Sequence, residues 1–230
     1  MDSVQIRPTV LIHNRCKTFN RNINHQIKQM KIIKITILFI AISTLTNCAS
    51  GYKMIEPKSI NYVSTNETDN VKLEYKYELL DKKYAKKELK KGVKLVAIKI
   101  TNNSEKDLMF GRDAKLTYEN GTEIFVMENE KVFTSLKQSV ASYLWYLLLT
   151  PINLYTAENG QQTSSTPIGL VVGPGLAGGN MIAAGSANKK FKTEMLEYNI
   201  NGTLIKKGET KYGLIGIKED SFDSLKLKVK

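Results

Sequence analysis

The residue types that most often carry catalysis are concentrated near the start of this 230-residue chain. Both histidines, His13 and His25, and one of the two cysteines, Cys16, lie within the first 29 residues. The other cysteine, Cys48, follows an apolar run, and no histidine occurs after it. Serine and cysteine nucleophiles of the usual kind need a neighbouring base such as histidine. From Cys48 onward, the sequence therefore predicts no nucleophilic triad, no disulfide and no ordinary zinc site.

Two carboxylate pairs and one glycine-rich motif are the remaining candidates for an active or cofactor site. Glu119 with Glu123, and Glu128 with Glu130, could serve as acid and base in sugar hydrolysis, but their turn-like and charged surroundings favour a solvated role. Residues 173–178 match the GxGxxG pattern of dinucleotide binding, although no alternating series of strands and helices surrounds them. We therefore expect no enzymatic activity, no cofactor and no metal.

A basic and then an apolar segment precede Cys48. Lys31 and Lys34 are followed by an almost unbroken apolar stretch at residues 35–45. This stretch is too short for an ordinary transmembrane helix and has the proportions of a secretory signal. The sequence thus predicts export.

The end of that segment resembles a lipobox, the processing site of bacterial envelope lipoproteins. Leu45 and Cys48 fit the family pattern, whereas Asn47 stands where Gly, Ala or Ser is usual. The resemblance covers residues 30–50 and implies cleavage before Cys48, acylation of its thiol and membrane lipid as a partner. Ala49 after the cysteine favours the outer membrane, with the periplasmic face as the default. An uncleaved signal anchor and a secreted protein with a free thiol are the alternatives.

The composition divides the chain into four predicted parts. These are an over-long gene start at 1–29, a lipoprotein signal peptide at 30–47, a polar tether at 48–70, and a β-sandwich domain at 71–230 with a helical insertion at about 129–200. Three of the four arginines lie in residues 1–29, which sets that segment apart from the lysine-rich remainder. A genuine basic cytoplasmic arm is the alternative interpretation of residues 1–29.

The net charge of +12 is shared between the leader and the mature chain. Residues 1–47 hold seven lysines and arginines and one aspartate, so a chain that begins at Cys48 carries a net charge of +6. Because that chain would also be exported, we expect no nucleic-acid partner.

Strand patterns occur on both sides of the insertion. Residues 71–79 alternate apolar with charged side chains, the period of two that a half-buried strand shows. Residues 93–101 are rich in β-branched side chains and end at a turn, and Asn120-Gly121 predicts a hairpin. Further short strands are predicted at 108–110, 115–118, 123–127, 204–206, 212–217 and 225–229. The fold class expected is mainly β (α+β), an antiparallel immunoglobulin-like β-sandwich; residues 96–104 resemble the strand and turn of bacterial immunoglobulin-like modules, which implies no activity.

The insertion is unusually poor in charge, since Glu158 is the single charged residue between positions 139 and 187. Apolar side chains at helical spacing predict a helix over residues 129–150, ended by Pro151. A polar loop is expected at 158–165, then a second apolar segment that becomes rich in glycine and alanine, then a short amphipathic helix after Asn188. The expected result is an apolar helical hairpin.

Two sets of residues are predicted to form the contact surface of this hairpin. Glycines four residues apart would let another helix approach closely: Gly169 with Gly173, and Gly175 with Gly179. Aromatic side chains would anchor at a membrane interface: Tyr143, Trp145, Tyr146 and Tyr155. Insertion into a membrane or a partner is one interpretation, and a lid folded over the sandwich is the other. A break at Gly173-Pro174-Gly175 favours the lid.

The function expected from these features is non-enzymatic. The anchor and the hairpin predict a lipid-anchored binding or structural subunit of the cell envelope, with an envelope protein as a further candidate partner. A carbohydrate-binding or glycan-acting module is the alternative, and it rests on the sandwich and its polar loops. Six lysines between positions 82 and 91 would line one face if that segment were helical, which could meet lipid headgroups or simply be solvated.

Overall fold

The computed structural model describes residues 48–230 except Asn159 and Asp220. The predicted gene start at 1–29, the signal peptide at 30–47, and the processing residues Leu45 and Asn47 lie outside the described residues. Residues Ala49–Lys230 form one compact unit. Because that unit contains the three apolar clusters found in the described chain, a protein that begins at residue 49 keeps all of their contacts.

The described residues form eleven strands, three α-helices and one 3-10 helix. The strands are β1 Ser64–Thr68, β2 Val71–Lys76, β3 Val93–Asn102, β4 Leu108–Met109, β5 Ala114–Tyr118, β6 Val126–Met127, β7 Leu154–Glu158, β8 Gln161–Thr166, β9 Leu204–Ile205, β10 Thr210–Lys218 and β11 Leu225–Val229. The helices are α1 Lys82–Lys91, α2 Asn129–Leu136, the 3-10 helix Val140–Leu149 and α3 Gly169–Glu197.

A five-stranded antiparallel sheet in the order β1-β2-β3-β10-β6 is the centre of the fold. In its register Leu73 lies opposite Ile100, and Ile215 lies opposite Val96. The prediction of an antiparallel sheet in an α+β protein is confirmed. Strand β3 is buried along almost its whole length, because both faces of the sheet are covered.

Side chains on the two faces of β3 belong to two different apolar clusters. Val96, Ile98 and Ile100 face a layer made by β5 with β11 and by β4 with β9. Leu95 and Ala97 face the other way and pack with side chains of α1, α2 and the C-terminal half of α3. Alternate side chains of a strand point to opposite faces, so one strand supports both layers.

Residues 129–150 do not form the single continuous helix that the sequence predicted, so that prediction is wrong. Helix α2 ends at Leu136, and Lys137 has an extended backbone with φ −56° and ψ 147°. The chain resumes as the 3-10 helix Val140–Leu149. Gln138, between the two helices, is buried. Its backbone N–H donates to Asn188 Oδ1 and its backbone C=O accepts from Asn188 Nδ2, so these groups are not part of a continuous helix.

The break predicted at Gly173-Pro174-Gly175 is absent from the described structure, since α3 runs from Gly169 to Glu197 with Pro174 inside it. Pro174 is the sixth residue of α3, so its ring removes only one bond of the i to i−4 ladder, close to the helix start. The amphipathic helix expected after Asn188 is the end of the same helix. The expected polar loop at 158–165 instead forms the hairpin of β7 and β8.

The structure differs from the predicted tether at residues 48–70. Tyr52, Ile55 and Pro57 are buried, and β1 pairs along its length with β2. Within this mostly polar segment, Tyr52 and Ile55 pack with Phe191 and Met195 of α3. A reach of about 70 Å, which an extended tether of this length would have, is therefore not available.

The turn predicted at Asn120-Gly121 is present, but its two flanking strands do not form a ladder. Gly121 has φ +83°, and its N–H donates to Tyr118 O at 3.0 Å. Beyond one bridge between Thr117 and Glu123, the chain diverges: β5 pairs with β11, and β6 pairs with β10. The turn joins the two layers instead of closing a hairpin.

Candidate functional site

The distinctive surface of the molecule is a two-helix projection that we call the arm. It consists of the 3-10 helix Val140–Leu149, the hairpin of β7 and β8 with the connections on either side of it, and residues 169–184 of α3. Leu149 lies beside Gly169, and Gln138 lies beside Asn188, so the two helices run in opposite directions. The arm has an apolar cluster of its own, separate from the two that cover the sheet.

A repeat of three residues explains the 3-10 geometry of the first arm helix. Val140, Tyr143, Tyr146 and Leu149 all belong to or pack against the arm cluster. Side chains at i and i+3 eclipse in a 3-10 helix, so this spacing places the four on one line. The rings of Tyr143 and Tyr146 stack with an interplanar angle of 1°. Of the four predicted aromatic anchors, these two thus point into the arm.

The four predicted contact glycines divide in the same way. A Cβ at Gly169 would lie 2.2 Å from Leu149 O, and one at Gly173 would lie 2.9 Å from Thr150 Oγ1. A Cβ at Gly175 or Gly179 would meet no described atom within 4 Å, chain neighbours and nearby helix backbone aside. Gly169 and Gly173 thus allow the two arm helices to touch, whereas Gly175 and Gly179 face outward.

The outward surfaces of the arm are apolar and exposed. Trp145 is 73% exposed and Val171 is 75% exposed. The other large exposed apolar side chains of the arm are Leu144, Leu147, Leu148, Ile152, Leu154, Tyr155, Ile168, Leu170, Val172 and Ile182. A concentration of exposed large apolar side chains on one projection favours a site that contacts a protein or a membrane. Trp145 and Tyr155 are the predicted anchors that lie on it.

The foundation of the arm is a set of buried polar side chains on α3. Asn188 accepts from Gln138 N at 2.8 Å and from Tyr84 Oη at 3.0 Å. Glu194 is fully buried and accepts from Tyr52 Oη at 2.5 Å and from Ile55 N at 2.8 Å. Burial, reinforced by the Glu194 carboxylate, raises the pKa of the Tyr52 phenol. These bonds fix α3 to α1, to the Gln138 break and to the N-terminal segment.

The residue after Cys48 is held against the arm. Ala49 N donates to Asn180 Oδ1 at 2.5 Å, and Ala49 packs against the arm cluster. Ser50 exchanges two hydrogen bonds with the Gln138 side chain, at 3.1 Å and 2.6 Å. Cys48 itself is exposed, and its Cα is about 3.8 Å from that of Ala49. The predicted acylation site is therefore next to the arm.

These polar contacts were missed by the sequence analysis. Asn180, Asn188 and Glu194 share one face of α3 with the buried Ala184 and Phe191, at the three- and four-residue spacings of a helix face. Isolated polar residues on an apolar face are a usable signal of buried hydrogen bonds. Their partners at positions 49–56 could not be located, because that segment carries no periodic pattern.

Lysines surround the base of the arm. Lys83 Nζ donates to Tyr143 Oη at 2.8 Å and lies over its ring, and Lys87 Nζ donates to Lys137 O. Burial and the neighbouring lysines lower the pKa of the Lys87 ammonium. Lys189 and Lys190 are exposed on α3 just beyond the arm. We use the name basal lysines for five residues: Lys83, Lys87, Lys137, Lys189 and Lys190. The predicted helical lysine face is thus partly engaged with the arm.

The groups that sequence analysis considered for catalysis lie elsewhere and are paired. Each of the four carboxylates forms an ion pair with a lysine: Glu119 with Lys226, Glu123 with Lys115, Glu128 with Lys131, and Glu130 with Lys192. The glycine-rich motif lies within α3 and not at a strand-to-helix turn. Among the described residues, no group of three His, Cys, Asp or Glu side chains could hold a metal ion.

One open depression of about 610 Å³ combines aromatic and acidic side chains at the opposite layer. Its lining residues are Tyr118, Glu119, Asn120, Thr122, Phe222, Asp223 and Ser224. Phe222 is half exposed and packs edge-on against Tyr77 at 5.4 Å. Burial and a hydrogen bond to Glu219 raise the pKa of Tyr118 to about 12. An aromatic platform beside carboxylates is a chemistry that could hold a sugar.

A scan against protein-family models, a search of curated proteins and a search of solved structures each find no match to this chain. Within the described residues, α3 is long and apolar enough to cross a membrane by length and composition alone, and 28% of its most apolar window is buried. The arm and the position of Cys48 are therefore the features from which a function can be inferred.

Proposed function

We propose that this chain is a lipid-anchored protein of the bacterial cell envelope that acts as a non-enzymatic binding or structural subunit. Cys48 carries the lipid, and the arm is the contact surface. The observation that carries the proposal is the exposed apolar arm directly beside Cys48. In solution, such a surface would be costly to leave in water, at about 25 cal/mol for each Å². The outer membrane, with the domain on its periplasmic side, is the proposed location.

In this proposal, a β-sandwich lies behind the helical layer that holds the arm. The packing of β5 with β11, and of β4 with β9, on one sheet face favours an immunoglobulin-like sandwich. The helices on the other face add a third layer. In this proposal the sandwich is a rigid support, and the contact is made by the insertion.

Fatty-acid labelling in cells tests the anchor. Wild-type protein should incorporate labelled palmitate and fractionate with membranes, and Cys48→Ala should lose both properties. Ser59→Ala, at an exposed position after Cys48, is the control and should keep both. Equal labelling of the wild type and Cys48→Ala would contradict the anchor.

Photocrosslinking tests the contact surface. A photoreactive residue at Val172, on the exposed face of the arm, should trap a protein or a lipid in cells. The same residue at Phe125, which is exposed but lies outside the arm, should give background only. Absence of a specific product at both Val172 and Trp145 would count against the arm as a contact surface.

A carbohydrate-binding or glycan-acting module is the second candidate, and the depression beside Phe222 favours it. If sugars bind there, envelope glycan fragments should raise the melting temperature of the wild type and leave that of Phe222→Ala unchanged. A shift of equal size in both proteins would remove this candidate.

A further inference from the structure

We propose that the arm lies flat in the interface of the membrane leaflet that holds Cys48, with its occupant an acidic phospholipid surface. This inference rests on the proposed lipid anchor and specifies what the arm contacts. Three features of the described residues lead to it. They are the hydrogen bond that holds Ala49 beside Asn180, the polar hairpin at the end of the arm, and the basal lysines.

Length alone would permit α3 to cross a bilayer. Residues 169–187 lack charge and rise about 28 Å as an α-helix, close to the ~30 Å thickness of the hydrocarbon core. A helix that crossed in this way would place Asn180 near the middle of the bilayer. Ala49 is bonded to Asn180, however, and the glyceride of an acylated Cys48 lies at headgroup level. The two positions are incompatible.

Vertical insertion into one leaflet meets a second obstacle. From Asn180 to Gly169 the helix rises about 16 Å, so the end of the arm would reach the middle of the bilayer. That end carries β7 and β8, whose residues are exposed along both strands and include Gln161, Gln162 and Glu158. A two-stranded hairpin leaves backbone N–H and C=O groups unpaired at both edges, which is costly in hydrocarbon.

A flat orientation satisfies both constraints. Ala49, the hairpin and the outward aromatic side chains can then all lie at headgroup depth, where tryptophan and tyrosine are favoured. Interfacial helices bury their apolar face by about 5–10 Å, which suits Trp145 and Leu148. The basal lysines are then positioned for acidic headgroups, and each adds attraction to an anionic surface.

Trp145 is the single tryptophan of the chain and reports its own depth. The probe is a chain of residues 48–230 with Cys48→Ser, which retains the compact unit Ala49–Lys230. It is mixed with phosphatidylglycerol and phosphatidylcholine vesicles whose acyl chains carry bromine at either shallow or deep carbons. We expect a blue shift of Trp145 emission and stronger quenching by shallow than by deep bromine. Stronger quenching by deep bromine, or no quenching, would overturn the proposal.

Two variants serve as matched controls. The double variant Trp145→Phe with Phe125→Trp moves the reporter off the arm to another exposed site, and it should not be quenched. Lys189→Ala with Lys190→Ala should weaken binding to acidic vesicles about five-fold for each lysine removed. Equal quenching at position 125, or unchanged binding in the lysine variant, would contradict the proposal.

The outcomes separate this proposal from the anchor. If Cys48 is labelled in cells and Trp145 is not quenched, the anchor stands and the flat arm is wrong. If Cys48 is not labelled and Trp145 shows shallow quenching, the arm still lies at the interface, and the lipid anchor is wrong.

Discussion

The two halves of α3 have the same backbone geometry and opposite surroundings. The C-terminal half, residues 185–197, places Phe191 and Met195 under the sheet and bonds Glu194 to the N-terminal segment. The N-terminal half, residues 169–184, touches the 3-10 helix and Ala49 and is otherwise largely exposed. One half is therefore held by the domain, and the other is held mainly by its own partner helix.

This difference shows how a folded domain can present an apolar surface that its own core does not need. Most of the buried apolar side chains lie in the sheet and its two covering layers, so we expect the arm to contribute little to the free energy of folding. Side chains on the outward face of the arm are thus free to serve contact. The predictions below test whether the two halves are as different in energy as they are in burial.

The largest expected effect is at Phe191. Its ring is fully buried and lies 5.2 Å from the rings of Tyr52 and Tyr84. Phe191→Ala should lower the free energy of unfolding by about 4 kcal/mol through lost burial and a cavity. Ile182→Ala, on the exposed half, should change it by less than about 0.5 kcal/mol. Urea denaturation measures both, and similar losses would contradict the division of α3.

The next largest effect is expected at Glu194. Glu194→Ala leaves Tyr52 Oη and the backbone N–H groups of Ile55 and Glu56 without their buried acceptor. We expect a loss of about 3 kcal/mol and faster proteolysis near residue 55. Glu197→Ala, an exposed carboxylate on the same helix, is the control and should be near neutral. Unchanged proteolysis in Glu194→Ala would show that the N-terminal segment is fixed by other contacts.

A buried carboxyl group, Glu88, should make the free energy of unfolding depend on pH. Burial raises the pKa of Glu88 to about 7, although the N–H of Leu95 donates to its carboxylate at 2.7 Å. Between the ordinary carboxyl pKa and pH 7, Glu88 is ionised in the unfolded chain and protonated in the folded chain. The free energy of unfolding therefore falls as the pH rises through this range. The loss between pH 5 and pH 8 is expected to be about 2 kcal/mol.

Glu88→Gln isolates that contribution. Between pH 5 and pH 8, the free energy of unfolding should fall by about 2 kcal/mol less in Glu88→Gln than in the wild type. Denaturation at the two pH values measures this difference. An equal dependence in the wild type and Glu88→Gln would show that the Glu88 carboxyl does not titrate in this range.

The smallest effects are expected within the arm, and they should have opposite signs. Gly169→Ala drives a Cβ into the backbone oxygens of Leu149 and Thr150 and should cost about 1–2 kcal/mol. Gly175→Ala has room and should stabilise the helix by about 0.5–1 kcal/mol. Amide hydrogen exchange of the arm measures both local changes. Two changes of the same sign would mean that the arm helices do not touch at Gly169.

The sequence predicted the sheet better than the insertion, for a physical reason. The alternation at residues 71–79 has a period of two that only a strand satisfies, and the β-branched composition of residues 93–101 favours a strand. These segments became β2 and β3. Residues 132–147 fit helical spacing almost as well as the three-residue spacing of Val140, Tyr143, Tyr146 and Leu149. Burial of Gln138 against Asn188 decided between them, and that is a tertiary contact.

The candidate site was predicted in its composition and not in its contacts. The absence of charge marked the insertion, and the glycine spacing indicated a close helix approach, which occurs at Gly169 and Gly173. The bond between Ala49 and Asn180 joins positions 131 residues apart and left no pattern in the sequence. The proximity of the arm to Cys48 therefore became visible only in the fold.

The most direct test of this account is hydrogen exchange of α3 with and without acidic vesicles. Amides of residues 170–183 should exchange more slowly when vesicles are present, because the interface suppresses opening of the arm. Amides of residues 188–197 should exchange at the same rate in both conditions. Equal protection of both halves by vesicles, or protection of neither, would contradict the claim that the arm is the part of α3 that enters the membrane interface.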